Sequence, residues 1–215
     1  MPRLSSLLAV FAALAVAGCT TFVATADYQC ALTEINRPDK VVERYGPIDS
    51  IVPEPESKYK YEDDMCAGEF FVADSRIYFS LKNKTDHSIR IIWDEAAYID
   101  VDGEAGRVAH HGVKYTDSYV SQPPSVIPAH QNLTDFIVPA DNAFLDIGGW
   151  EETPLLAPSS RSLRKGDKVA ARAFANEVRE NKGKRFGVLL PLEIEDVVNE
   201  YTFWFEVEHI VLKIH

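Results

Sequence analysis

The sequence predicts a mainly β chain, an antiparallel β-sandwich carrying one short helix. Three patterns support this reading. From Glu69 onward, apolar and polar residues alternate with period two, as strands dry on one face require. The last third holds two long alternating runs close enough together to pair as a hairpin. Turn residues recur between short apolar segments, with Asp102-Gly103 the clearest hairpin signal.

Each element follows from its own residues. In Arg76 to Leu81, the side chains of Ile77, Phe79 and Leu81 share one face. Lys82 to Asp86 reads as a turn, and Ile89, Ile91 and Trp93 line one face of the next strand. Tyr98 to Val101 and Arg107 to His110 flank Asp102-Gly103, and Leu133 to Val138 is a strand closed by Pro139. A helix is expected over residues 168–181, where Ala170, Phe174 and Val178 recur every four positions with Val169 and Ala173 beside them. Asp167 can cap its start and Gly183 can end it. Phe186 to Ile194 and Phe203 to Val211 form the strongest strand pair, with Glu195 to Thr202 between them. Pro191 lacks a ladder donor and places its strand at an edge or a bulge. Over residues 69–215 the pattern resembles the immunoglobulin-like sandwiches of bacterial envelope proteins. The Cys-Trp-Cys spacing of true immunoglobulin domains is absent.

The amino terminus has the parts of an export signal. Arg3 supplies a positive start, Leu4 to Val16 is apolar, and Val16-Ala17-Gly18-Cys19 closes it with small residues before a cysteine. This arrangement resembles a bacterial lipoprotein signal with its lipobox. The resemblance implies cleavage after Gly18, a diacylglyceryl group on the Cys19 thiol and an acylated Cys19 amine. Thr20 stands where an aspartate would favour the inner membrane, so the resemblance implies the outer membrane, facing the periplasm. Residues 1–18 are then the signal, 19–26 a lipidated tether, 27–68 an irregular segment punctuated by prolines, and 69–215 the sandwich.

Composition narrows the function. The chain carries a formal net charge of −11. Nucleic acid is therefore not an expected partner, because phosphate neutralisation needs clustered Lys and Arg. No basic stripe for anionic lipid stands out either. With Cys19 lipidated, Cys30 and Cys66 remain, and an oxidising compartment favours their pairing as a disulfide pinning the N-terminal segment.

Chemical motifs are few. His110-His111 are the candidates for a metal, but adjacent strand residues point to opposite faces and cannot share an ion unless the strand breaks. Asp100 to Glu104 has glycine at the wrong place for an EF-hand loop and reads as a hairpin turn. Asp63-Asp64 and Glu151-Glu152 read as solvated loop charges, and Ser159, Ser160 and Ser162 lack a nucleophile-elbow pattern. No cofactor is implied. The stretch Tyr115 to Pro128 and the loop carrying Trp150 combine prolines with rigid amphipathic rings. Tyr115, Tyr119 and Trp150 are thus the expected binding rim, facing another envelope protein or a glycan. The expectation is a lipid-anchored, non-catalytic binding or structural domain. A hydrolase or metal enzyme with a dispersed site, and a carrier of a small apolar ligand, are the alternatives.

Overall fold

The computed structural model describes residues 21–37, 47, 50–54 and 58–215. Cys19 and residues 1–18, read from the sequence as an export signal, lie outside them. The described residues are mainly β-strand, with one α-helix among them. The strands in chain order are β1 (Thr21–Asn36), β2 (Ser50–Glu54), β3 (Lys58–Glu62), β4 (Cys66–Val72), β5 (Ile77–Asn83), β6 (Ile89–Ile91), β7 (Ala97–Ile99) and β8 (Ala105–His110). They continue with β9 (Ser125–Ile127), β10 (Asn132–Pro139), β11 (Ala143–Asp146), β12 (Gly149–Glu152) and β13 (Ser160–Arg164). Helix α1 (Lys168–Arg179), β14 (Arg185–Ile194) and β15 (Val197–Ile214) complete the chain.

Thirteen strands form one curled antiparallel sheet in the order β13-β1-β15-β14-β7-β8-β10-β5-β4-β3-β2, with β6 paired to β14 and β9 paired to β6. The curl is forced by the aromatic residues of one face. Phe70 on β4 lies 4.5 Å, centroid to centroid, from Phe203 on β15, and Tyr61 on β3 lies 5.3 Å from the same ring. Strands far apart in the ladder therefore meet face to face and bury both inner surfaces at once. Gly68 makes this approach possible, because a Cβ there would stand 2.7 Å from the Tyr61 ring. β8 is the corner strand: its first half pairs with β7 and its last residues pair with β10.

Several expectations hold in detail. Ile77, Phe79 and Leu81 are all buried on the inner face of β5. The Asp102-Gly103 turn joins β7 to β8, with Gly103 at φ +85° and the Asp100 carboxylate accepting from the backbone N–H of Asp102 and Glu104. Asp167 caps α1 by accepting from the N–H of Ala170 at 2.9 Å. Phe174 and Val178 pack with Ala24, Ala26 and Leu163 into a small second core, separate from the main one.

Other expectations are corrected. Residues 21–26, read as tether, are the start of β1, because Thr21 to Thr25 pair with β13 and Ala24 onward with β15. The expected loop from Glu195 to Thr202 shrinks to Glu195 and Asp196, both at positive φ, as a tight hairpin turn requires. Asn199 and Tyr201 then continue the buried face of β15. Pro191 is not on an edge strand. It sits in the gap where the neighbour of β14 changes from β6 to β7, where neither ladder pairs with it, and its carbonyl accepts from Ile92 at 3.0 Å. Val169 is 81% exposed rather than part of the buried helix face.

The Cys30–Cys66 disulfide is not formed, and both cysteines are buried free thiols. Each has its own polar neighbour: Cys30 the carbonyl of Tyr28, Cys66 the hydroxyl of Tyr61. The N-terminal segment is held instead by strand pairing and by Asp63. That fully buried carboxylate accepts from Arg37 at 2.8 Å, from the N–H groups of Met65 and Cys66, and from the Tyr201 hydroxyl at 3.0 Å.

Desolvation pushes the Cys30 thiol up to about 12 and raises Cys66 further, so neither is a reactive thiolate at neutral pH. Iodoacetamide at pH 8 should leave both unmodified in the folded protein and alkylate both in denaturant, read by intact mass. A disulfide recovered from native protein would contradict this. Phe70→Ala removes the ring at the centre of the seam and should lower unfolding free energy by about 3–5 kcal/mol in urea titrations.

Candidate functional site

The hairpin β11–β12 is the one part of the described sheet structure outside the curled sheet. Phe144 pairs with Glu151 and Leu145 with Trp150, and Gly149 closes the turn at φ +124°. Ile147 at its tip is fully exposed, Leu145 is 69% exposed, and Phe144 and Trp150 are each 45% exposed. A two-stranded ribbon is marginal in water without support. The support comes from its base.

There, Glu152 accepts a two-pronged contact from the Arg76 guanidinium at 2.5–3.0 Å and a hydrogen bond from Ser75 Oγ at 2.6 Å. The Tyr115 hydroxyl donates to the same carboxylate. Arg76 also lies over the Phe136 ring at 4.3 Å, which fixes the plane of its fork. Two backbone bonds complete the base, from Thr153 N to Asn142 O at 2.7 Å and from Leu155 N to Asp74 O at 2.8 Å. Burial alone would raise the Glu152 carboxyl, but Arg76, Ser75 and Tyr115 outweigh it and hold the group at about 2. Burial, and then the bond to Glu152, raise the Tyr115 phenol.

The expected rim residues are largely brought together. Tyr115 and Trp150 lie 5.2 Å apart, ring to ring. Tyr119 is 61% exposed and donates to Asp141, just before β11. The loop carrying both tyrosines is strapped down. The Asp94 carboxylate accepts from Ser121 Oγ and Gln122 N, Arg107 donates to Val120 O, and the buried Gln122 amide donates to Val108 O. Arg76 and Glu152 are the functional pair that sequence reasoning missed. Glu152 stands next to the exposed Glu151, and its partner lies 76 residues away. Only the i, i+2 relation of Trp150 and Glu152 hinted that both share one face.

The histidines do not converge. His110 stacks on the buried Trp93 at 4.0 Å and nearly parallel, with Nδ1 3.2 Å from Asp135. Its Nε2 is buried without a hydrogen-bond partner, so no substrate reaches that nitrogen in this conformation. β8 ends at His110, so His111 lies in the turn that follows, exposed and against the Phe136 ring, with its backbone N–H donating to Asp135. Among the described residues, no group of three His, Cys, Asp or Glu could hold a metal ion. A cleft of about 400 Å³ opens between β1 and the end of β4, floored by Cys30, Leu155 and Leu156, with Asp27 and Asp74 at its mouth. It lies beside the main core, which aromatic rings fill.

Comparison with protein-family models, with curated proteins and with solved structures gives no match.

The Glu152 carboxyl is held below its ordinary 4.5, so it contributes stability that is complete above about pH 4.5 and lost as pH falls toward 2. Urea midpoints measured across that window should fall more steeply for the parent than for Glu152→Gln. Equal slopes would mean that the Arg76–Glu152 contact does not hold the hairpin.

Proposed function

We propose that this chain is a lipid-anchored envelope protein with a non-catalytic binding domain. The lipid sits on Cys19, and the curled sheet serves as an immunoglobulin-like sandwich that holds the β11–β12 hairpin against a partner in the outer membrane or periplasm. The observation that carries the reading is the hairpin itself. A ribbon exposing Phe144, Leu145, Ile147 and Trp150, yet fixed at its base by a buried charge network, is built to be covered. Rigid rings at Tyr115 and Trp150 give contact area at low cost in side-chain entropy.

The flanking charges favour one class of partner. Asp146 and Glu151 flank the apolar tip, with Asp141 at the hairpin's base, so the matching surface is an apolar protein groove with a cationic rim. Anionic lipid would be repelled by the same carboxylates. The aliphatic tip suits a protein groove better than a glycan, which needs hydrogen-bond donors. Catalysis by the histidines is disfavoured because the free nitrogen of His110 is sealed in the core.

A photo-crosslinking residue placed at Ile147 in the lipidated protein should yield a protein adduct in intact cells. Trp150→Ala should reduce that adduct at least tenfold with the fold intact. An adduct unchanged by Trp150→Ala, or formed only with lipid, would overturn the proposed rim. Intact mass of the mature chain tests the anchor separately: the expected species begins at Cys19 and carries acyl chains.

A further inference from the structure

The second core builds a surface that the chain's overall acidity conceals. β13 pairs with the first residues of β1, with Arg164 opposite Thr21, and the turn after Arg164 leads directly into α1. This places Arg164, Lys165, Lys168 and Arg172 together at the end of the sheet where β1 begins, all four exposed. None has a carboxylate partner among the described residues. Residues 161–172 hold five cations against the single carboxylate of Asp167, in a chain whose net charge is −11. Arg161 alone of the five is neutralised, by Glu177 at 2.6 Å.

Exposed apolar side chains lie at the same end. Val169 is 81% exposed at the start of α1 and Ile214 is 73% exposed at the end of β15, opposite Ala24 on the face that carries α1. β15 ends at this same place, since Ala24 pairs with Ile214 and the Val23 and His215 backbones exchange hydrogen bonds. Lys213 also lies there, paired with Asp27 at 2.9 Å.

Covalent geometry says what this face meets. Thr21 is two residues from Cys19, so the chain between them spans at most about 7 Å. A lipid on Cys19 would therefore hold the start of β1, with its neighbours Arg164 and Lys165, within the screening length of about 8–10 Å from the headgroups. We propose that the face made by β13, the first turns of α1 and the end of β15 is a bilayer-docking surface. Its cations contact anionic phospholipid headgroups, and Val169 and Ile214 enter the interface between them. The inference rests on the lipid-anchor reading. It adds an orientation: the domain stands on this end, with β15 running away from the membrane and the β14–β15 turn about 50 Å distant.

The test uses the mature polypeptide from Thr20, which lacks the lipid and contains every described element. It should sediment with vesicles of phosphatidylethanolamine and phosphatidylglycerol, and not with vesicles of phosphatidylethanolamine and phosphatidylcholine. Binding should weaken as salt rises. Each neutralised cation should weaken it about fivefold, so Lys165→Gln with Lys168→Gln should cost about 25-fold. Lys182→Gln, beyond the other end of α1, should have no effect. Parent-like binding by the double variant, or binding indifferent to phosphatidylglycerol, would overturn the proposal.

A second arm separates this failure from failure of the anchor. Nitroxide labels at Val169→Cys and at Asp86→Cys are compared in the lipidated protein in the same vesicles. Asp86 lies near the β14–β15 turn, because His87 is 3.9 Å from Glu195. The Val169 label should be shielded from water-soluble relaxants and the Asp86 label should not. Acylated protein with both labels equally exposed sinks the docking face, whereas protein without acyl chains by mass sinks the anchor.

Discussion

The pairing of β1 with β15 is the constraint on which the rest of this structure depends. Twelve residue pairs register along it, with two shifts, one between Gln29 and Cys30 and one between Leu32 and Glu34. A register shift in an antiparallel pair adds twist and re-aims side chains. On one side of the first shift, Ala24 and Ala26 face α1 and form the small core. On the other, Cys30, Leu32, Phe205 and Val207 face the aromatic seam of the main core. One ladder thus serves two cores, and it passes from one to the other without a linker. Among the described residues the small core has five buried side chains. It is too small to stand alone, so its position is inherited from the ladder.

The seam itself depends on size matching across the curl. Tyr61, Phe70, Phe203 and Phe205 meet at centroid distances from 4.5 to 6.4 Å, within the range where tilted and offset rings attract. Their close approach leaves no room for water, so polar groups caught nearby must satisfy one another. Asp63 does this for the crossing between β3 and β4. It gathers two backbone donors, a tyrosine hydroxyl and Arg37 around one fully buried carboxylate. Removing one partner of such a cluster leaves a buried charge exposed to a low-dielectric interior, which costs more than the intact cluster contributes. The N-terminal segment is therefore tied down by a charge in the core, where cysteine counting pointed to a covalent bridge.

What was legible in the sequence was what local periodicity encodes. β5, the Asp102-Gly103 hairpin, the Asp167 cap and the β14–β15 pair were all readable, because alternation, turn residues and caps act over a few positions. Two kinds of feature were not. The first is where a strand ends when its turn residues carry no glycine: Glu195 and Asp196 take positive φ without one, so the turn read as a longer loop. The second is everything assembled across the ladder. Arg76 with Glu152, Asp63 with Arg37 and Tyr201, and the grouping of basic residues beside Thr21 depend on register between distant segments. The rim was half legible, since rigid rings in proline-rich loops marked Tyr115 and Trp150 but gave no sign of the carboxylate holding them.

That carboxylate also sets how the hairpin is held. β11 and β12 share no ladder with the curled sheet, so their attachment is a charge network and the backbone bond from Leu155 N to Asp74 O at the base. Regions held this way open at lower free energy than strands bonded on both edges. The Arg76 fork is planar, gripped in two places by Glu152 and stacked on Phe136, so the base fixes the direction in which the ribbon leaves the sheet. The proposed partner groove would exclude water from Glu152 as it closed over the tip. In that drier setting the Arg76–Glu152 contact strengthens, so covering the tip and tightening the base are one event.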